Sequence, residues 1–424
     1  MSEGQMRHRT GSVTLTVRGR DGRLLADQAV TVAQQRHAFA FGNIGVDFVE
    51  LVGGPHPEAV MGPGGADHTA LEQLGGLWLN LFNTATLMFY WGSYEPWRGA
   101  TDAERLTKTA RWFAERGVTV KGHPLVWHTV QPPWLLGLDL DEVERLLCAR
   151  IRDVVGGFAG TIDVWDAINE AVIMPVFENG ENAITPLAHA RGRIYMVRMA
   201  FEEARAANPA ATLVLNDFDL TSAYERLIEE VLEAGIRVDA IGLQTHMHQG
   251  YRGEEYMCHT LDRFARYGLP LHMTETTLVS GHLMPPEIED LNDYQTPEWP
   301  TTPEGEARQA DEIVRHYRSL VAHPAVQSVT YWGLTDNGAW LGAPAGLIRA
   351  DGSRKPSYDA LEALIKGEWW LAPTAMRTGA DGTVAIEGFF GDYTVSVGGS
   401  TATFTIGPTQ TRAVVDLDVG GECR

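Results

Sequence analysis

An α/β chain built on a (β/α)8 barrel, with a small β segment before it and a small β module after it, is the architecture the 424-residue sequence predicts. Three observations carry that prediction. Short apolar runs alternate with amphipathic helical stretches through the middle of the chain, which is the rhythm of β-α units feeding a parallel sheet. Eight such runs fall between residues 38 and 336. No Gly-rich phosphate loop follows an early run, as a doubly wound nucleotide-binding sheet would require.

The elements follow in order. In SVTLTVRGRDGRLLADQAVTVAQQRHAFAFG (12–42), Val13, Leu15 and Val17 alternate with polar residues and Asp21-Gly22 supplies a turn. That is a hairpin signature, and a lone hairpin is marginal, so residues 8–37 are expected to pack on the barrel. The eight strands read AFAFGNIG (38–45), LFNTATLM (81–88), TVKGHPLVW (119–127), DVWDAINEA (163–171), ATLVLNDF (211–218), AIGLQTHMH (240–248), PLHMTETT (270–277) and SVTYWGLTD (328–336). Helices are expected between them, as at 102–117 and at 222–235, the latter behind a Thr/Ser cap and closed by Gly235. With its loops the barrel domain spans 38–366. Short alternating runs between Gly turns then read as a separate β-sandwich-like module over 369–420.

Bulk composition narrows the function. Hydrophobic residues make up 44% and charged residues 21%, a globular profile, and the formal net charge is −21. Nucleic acids and anionic membranes need a basic face, so both are excluded as expected partners. No run approaches the length of a membrane span, and the first residues lack the apolar core of a signal peptide. The chain as written therefore reads as cytoplasmic; a secreted protein whose leader had been trimmed would read the same. Cys148, Cys258 and Cys423 form no spaced cluster, which argues against a disulfide framework. Oligomeric state is not readable.

The polar residues of the barrel gather at the strand ends, where barrels of this type carry their chemistry. The third strand carries His123, Trp127 and His128; the fourth ends in Asn169 and Glu170; the fifth ends in Asn216 and Asp217. Gln244, His246 and His248 lie on the sixth, Glu275 on the seventh, and Trp332 on the eighth with Trp340 after it. A cup of carboxylates, amides, imidazoles and indoles suits glycoside hydrolysis. That reaction needs one protonated carboxyl and one ionised carboxylate across an acetal bond. Glu170 and Glu275 are the natural pair, since the fourth and seventh strands lie across the barrel mouth. A retaining mechanism sets their carboxyl groups about 5–5.5 Å apart. The tryptophans can stack on sugar faces.

At these residues the sequence resembles glycoside hydrolase family 10, the retaining endo-β-1,4-xylanase family. GHPLVWH (122–128), DVWDAINEA (163–171), LNDF (215–218), IGLQTHMH (241–248), MTET (273–276) and YWGLTDNGAWL (331–341) appear in that family's order. The resemblance implies that Glu170 is the acid/base, Glu275 the nucleophile, and Asn169 a ligand of the sugar 2-hydroxyl. It implies that Gln244 and His246 hold the nucleophile and the intermediate. His123, Trp127, Trp332 and Trp340 then line the reacting-sugar subsite, with His128 and Asn216 also in the substrate cleft. No metal or cofactor is implied.

Two departures stand out. The family's TPENEMKW-like stretch, whose Glu, Asn and Lys bind glycone sugars, reads TATLMFYW (84–91), which puts Thr86, Leu87 and Tyr90 at those places. A distal glycone subsite built of these groups should be weak for xylan, or suited to something more apolar. The usual TELD reads TETT (274–277), so Thr277 stands where an acid normally supports the sixth-strand histidine. Long loops at 172–192 and 278–302 bring Met174, Phe177, Tyr294 and Trp299 as candidate contacts for an apolar aglycone, or as ordinary loop packing. Xylan is thus one expected substrate and a glycosylated small molecule the other. A non-catalytic sugar binder and a metal-dependent hydrolase built on His246 and His248 with His123 or His128 are the rival classes. The flanking β segments read as bracing or as a carbohydrate-binding module.

Overall fold

A computed structural model describes residues 6–54 and 68–418; Cys423 and the last residues of the expected terminal module lie outside them. The chain divides into two compact units, one of residues 41–357 and one formed by residues 1–40 together with 358–424.

The larger unit carries the barrel. Its strands are β3 (Ala40–Ile44), β4 (Thr84–Met88), β5 (Thr119–His123), β6 (Val164–Asn169), β7 (Thr212–Asp217), β8 (Ala240–Met247), β9 (Leu271–Leu278) and β10 (Val326–Tyr331). They close in the order β10-β3-β4-β5-β6-β7-β8-β9, the eight-stranded barrel expected from the alternation. Several strands stop earlier than the apolar runs do. β5 ends at His123 because Pro124 has no N–H to continue the ladder. β6 ends at Asn169 because Glu170 turns into a left-handed backbone, φ 56°.

Helices pack outside by their apolar stripes. In Ala103–Ala114 the buried residues Leu106, Thr109, Ala110 and Phe113 recur at helical spacing. Ser222–Glu233 starts behind Thr221, whose hydroxyl accepts from the Ala223 N–H, and the chain leaves it through Gly235 at φ 71°. One close approach depends on a missing side chain: a Cβ on Gly122 would meet the buried Trp165 ring at 2.0 Å. The indole of β6 therefore lies flat on the β5 backbone and locks these two strands beneath the mouth.

The smaller unit corrects the expected domain plan. Its strands are β1 (Thr10–Gly19), β2 (Ala29–His37), β11 (Thr374–Arg377), β12 (Thr383–Phe389), β13 (Gly391–Val397), β14 (Ser400–Ile406) and β15 (Arg412–Leu417). The turn at Asp21-Gly22 forms, with Gly22 at φ 78° and a bridge between Arg18 and Leu24. Yet β1 and β2 do not pair with each other. β1 lies between β12 and β15, while β2 lies between β11 and β13 in the other sheet. Instead of a hairpin and a separate module, one sandwich is built from both ends of the chain. The reason is burial: Val13, Leu15 and Val17 of β1 and Val30 and Val32 of β2 share one core with Ile386, Tyr393, Val395 and Ile406. Side by side in a single two-stranded ribbon, those faces would stay wet.

Removing residues 367–424 should therefore not yield a trimmed, soluble enzyme. Such a truncation strips every strand partner from β1 and β2, and the shortened chain is expected in the insoluble fraction on expression. A soluble 1–366 fragment with an unchanged melting temperature would contradict the discontinuous sandwich.

Candidate active site

The barrel interior turns polar at the C-terminal ends of its strands. His123, Asp166, Asn169, Asn216, Gln244 and Glu275 are all buried, at 5% exposure or less. Each must find a partner there, because an unpaired polar group in such a place is costly. Asn216 is the hub. Its Nδ2 donates to Asn169 Oδ1 at 2.7 Å and to Glu275 Oε1 at 3.0 Å, and its Oδ1 accepts from the Thr274 hydroxyl at 2.6 Å. It reaches this place across β8 only because residue 242 is glycine: a Cβ there would stand 2.4 Å from Asn216 Oδ1.

Glu170 enters from the other side. Asn169 Nδ2 donates to Glu170 Oε1 at 3.1 Å, and Gln244 Nε2 lies 3.0 Å from Asn169 Oδ1 and 3.4 Å from Glu170 Oε1. Trp127 Nε1 donates to Glu170 Oε2 at 2.8 Å. Amide side chains thus join the two carboxyl groups. The left-handed backbone of Glu170 is strain of order ~1–3 kcal/mol for a non-glycine residue. It is held by three bonds: Glu170 N–H to the Asn216 carbonyl (2.8 Å), Met174 N–H to the Glu170 carbonyl (3.1 Å) and Val172 N–H to Asp217 Oδ2 (3.0 Å).

The two carboxyls sit in opposite electrostatic environments. Burial pushes Glu170 up to about 8, and the charges of Glu275 and Asp217 add to this against the Trp127 and Gln244 hydrogen bonds. Burial also works to raise Glu275, but the charge of His123 and the hydrogen bond and charge of His246 outweigh it and hold Glu275 below the ordinary carboxylate value. His246 Nε2 stands 3.0 Å from Glu275 Oε2, and its Nδ1 is 2.8 Å from the Thr277 hydroxyl.

Aromatic rings wall the cup. Trp332 stands edge-on to His123 at 5.2 Å between ring centres, and Trp340 lies 5.0 Å from His246 with 38% of its surface exposed. Among the described residues neither ring nitrogen of His128 has a hydrogen-bond partner; its Nε2 is 3.8 Å from Glu170 Oε2 and its ring packs on Phe177 at 4.3 Å. Burial lowers the His128 imidazole to about 4, so it is neutral at physiological pH. These contacts bring together His123, Trp127, His128, Asn169, Glu170, Asn216, Gln244, His246, Glu275, Trp332 and Trp340.

The altered stretch after β4 needs a correction. Leu87 is fully buried and faces Gly45 beside the Phe113 ring, in the helix layer, so it does not line the cleft. Thr86 is also fully buried. Tyr90 reaches the cup, its ring 5.1 Å from Trp127 and 5.7 Å from His123. Among the loop residues, Met174 is buried, and Trp299 joins Val279, Met284, Ala343 and Ala345 in a small core against which Tyr294 packs. Met174 and Tyr294 pack their loops; Phe177 touches the cup through His128, and the Trp299 ring centre lies 6.1 Å from that of His248. His246 and His248 lie with ring centres 5.9 Å apart, and no group of three His, Cys, Asp or Glu side chains among the described residues is arranged to hold one metal ion.

Asp217, read from the sequence as a polar strand end, caps the Glu170 turn and is itself raised to about 7 by burial. Two positions escaped sequence reasoning. Lys121 and Asp166 form a buried ion pair of 2.8 Å below His123. A signal existed for the pair: a lysine two residues before His123, and an aspartate inside the apolar run VWDAIN, face inward by strand alternation.

Comparison with known proteins agrees with this geometry. The model of Glycosyl hydrolase family 10 matches residues 82–364. The chain is 28% identical over 292 residues to endo-1,4-beta-xylanase B of Thermotoga neapolitana, covering 65% of this chain and 78% of that protein. To endo-1,4-beta-xylanase A of Xylanibacter ruminicola it is 30% identical over 274 residues, covering 58% of this chain and 70% of the other. Xylanase 10B from Thermotoga petrophila, solved in complex with xylobiose, superposes with a TM-score of 0.61 at 22% identity, covering 78% of this chain and 95% of that one, a likeness of fold. With a family model spanning most of the barrel, and two carboxyls of opposed charge preference at its mouth, the chain belongs to glycosyl hydrolase family 10 and is a glycosidase.

Proposed function

We propose that this glycosidase cleaves β-1,4-linked xylan or xylo-oligosaccharides with retention, Glu170 serving as acid/base and Glu275 as nucleophile. One observation carries the roles: the two carboxyls are pushed in opposite directions, Glu170 up to about 8 and Glu275 below its ordinary value. The substrate is supported by the two relatives, both named endo-1,4-beta-xylanases.

The chemistry follows from that opposition. Glu170 gives its proton to the glycosidic oxygen as Glu275 attacks the anomeric carbon; the C–O bond breaks and a glycosyl ester forms. Esterification removes the Glu275 charge, one of the influences holding the Glu170 proton. Glu170 thereby stays ionised after giving up its proton and is available as the base for the water that hydrolyses the ester. The Trp127 N–H on Glu170 Oε2 favours its ionised form and helps the same reversal. Asn169, already bonded to Glu170, stands between the two acids where a hydroxyl of the reacting sugar would lie.

A second substrate reading has its own observation. Val130, Val176 and Phe218 are 46%, 55% and 48% exposed, on the segments that follow β5, β6 and β7. They flank the strand that delivers Glu170, the leaving-group side. An apolar aglycone of a small glycoside would cover them, as a xylose chain would not.

On an aryl β-xyloside with a poor leaving group, kcat/KM should follow a bell. Its alkaline limb should fall as pH rises through about 8, when Glu170 loses its proton, and its acid limb should lie below 4.5, where Glu275 becomes protonated. An alkaline limb that persists unchanged in Glu170→Gln would remove Glu170 from the acid role. Glu170→Gln should lower the rate about 10²–10⁴-fold on substrates with poor leaving groups and much less on activated ones. Glu275→Gln should abolish turnover on both. Proton NMR should show the β-anomer as first product; an α-anomer would exclude retention. Phe218→Ala should reduce kcat/KM about tenfold for glycosides of bulky apolar aglycones while sparing xylotriose, if small glycosides are the substrate. Equal effects on both would favour xylan.

A further inference from the structure

The two oxygens of Glu275 are backed differently. Oε2 meets His246, whose other nitrogen meets a neutral hydroxyl, Thr277 Oγ1, at 2.8 Å. Oε1 faces His123 Nε2 across 3.8 Å. The other nitrogen of His123 is 2.7 Å from Asp166 Oδ2, and that same oxygen is 2.8 Å from Lys121 Nζ. Asp166 has no exposed side-chain surface, His123 has 1% and Lys121 has 5%.

A threonine hydroxyl can donate or accept, so it leaves the tautomer of His246 open. An ionised carboxylate can only accept. Asp166 therefore accepts the Nδ1–H of His123 and fixes the ring so that Nε2 faces Glu275. The ion pair with Lys121 keeps Asp166 ionised: burial works to raise its carboxyl, and the charges of Lys121 and His123 outweigh that. A buried ion pair is a poor way to stabilise a barrel, since apolar residues of similar volume usually do as well or better. Among the described residues Asp166 Oδ1, moreover, has no hydrogen-bond partner, so the pair is not arranged to satisfy itself. What it does satisfy is the histidine.

We propose that Lys121 and Asp166 are positioning residues that hold His123 toward Glu275, and that Asp166 supplies behind His123 the anionic support which Thr277 withholds from His246. This rests on the reading of Glu275 as nucleophile. The titratable groups around His123 are Asp166, Lys121, Glu275 and Tyr90, with His246 beyond Glu275 and His272 within electrostatic reach of Lys121 and Asp166.

The test uses Asp166→Asn, Lys121→Met, Thr277→Asp and the double variant Asp166→Asn with Thr277→Asp. Each full-length chain is assayed on an activated aryl β-xyloside from pH 4 to 9. Asp166→Asn should lower kcat about tenfold or more with little change in KM, and move the acid limb to higher pH, because the weakened hold of His123 on Glu275 outweighs the loss of the Asp166 charge, which by itself raises Glu275. Lys121→Met should move the limb in the same direction by less. Thr277→Asp should change the wild type about threefold or less, yet recover most of the loss in the Asp166→Asn background. Proton NMR supplies a second readout that needs no turnover: one low-field imidazole resonance should vanish in Asp166→Asn and persist in Thr277→Asp. A folded Asp166→Asn variant with an unchanged acid limb and kcat would overturn the proposal. So would a double variant no better than Asp166→Asn alone. A wild-type chain inactive on every aryl β-glycoside would instead defeat the reading of Glu275, while the resonance would still report the pair.

Discussion

A single carboxamide nitrogen, Nδ2 of Asn216, donates to Asn169 and to Glu275 at 2.7 and 3.0 Å, and most of the mouth is arranged around that constraint. Through Asn169 the same contact reaches Glu170, so the two acids cannot drift independently. It demands Thr274 to orient the amide, Gly242 to make room for it, and a β7 carbonyl, that of Asn216 itself, to hold the Glu170 N–H. The strained turn at Glu170 persists because its surroundings over-determine it.

The electrostatic division between the acids is a consequence of where cations can be afforded in a closed barrel. Glu275 stands beside two imidazoles, one of them backed by Asp166 and Lys121. Glu170 has an indole N–H, amides and a neutral His128, and Asp217 lies close enough for its charge to be felt. Two residues of identical chemistry thus acquire opposite proton preferences from the strands that carry them, in a protein whose net charge of −21 works against any anion.

Much of this was legible in the chain itself. Eight apolar runs became eight strands because period and spacing report burial directly. Glu170 and Glu275 stood out because a carboxylate inside an apolar run needs a reason. What was not legible is what depends on facing. Leu87 sits at a position where relatives place a sugar ligand, yet it belongs to the helix layer. Lys121 and Asp166 declare themselves only when β5 and β6 are side by side. The N-terminal strands read as a hairpin because local turn chemistry is correct there, while their partners lie more than three hundred residues away: Arg18 of β1 meets Asp416 across 398 positions.

That last separation has a kinetic corollary. β1 is translated before the barrel and its parallel neighbour β15 after it, so the sheet that unites them cannot close until both have been made. Val13, Leu15 and Val17 must wait uncovered while the whole barrel is translated, the interval in which nascent apolar strands meet chaperones or each other. The sandwich is thus a latch that reports a fully translated barrel: a chain stopped anywhere before β15 keeps β1 unshielded on one side.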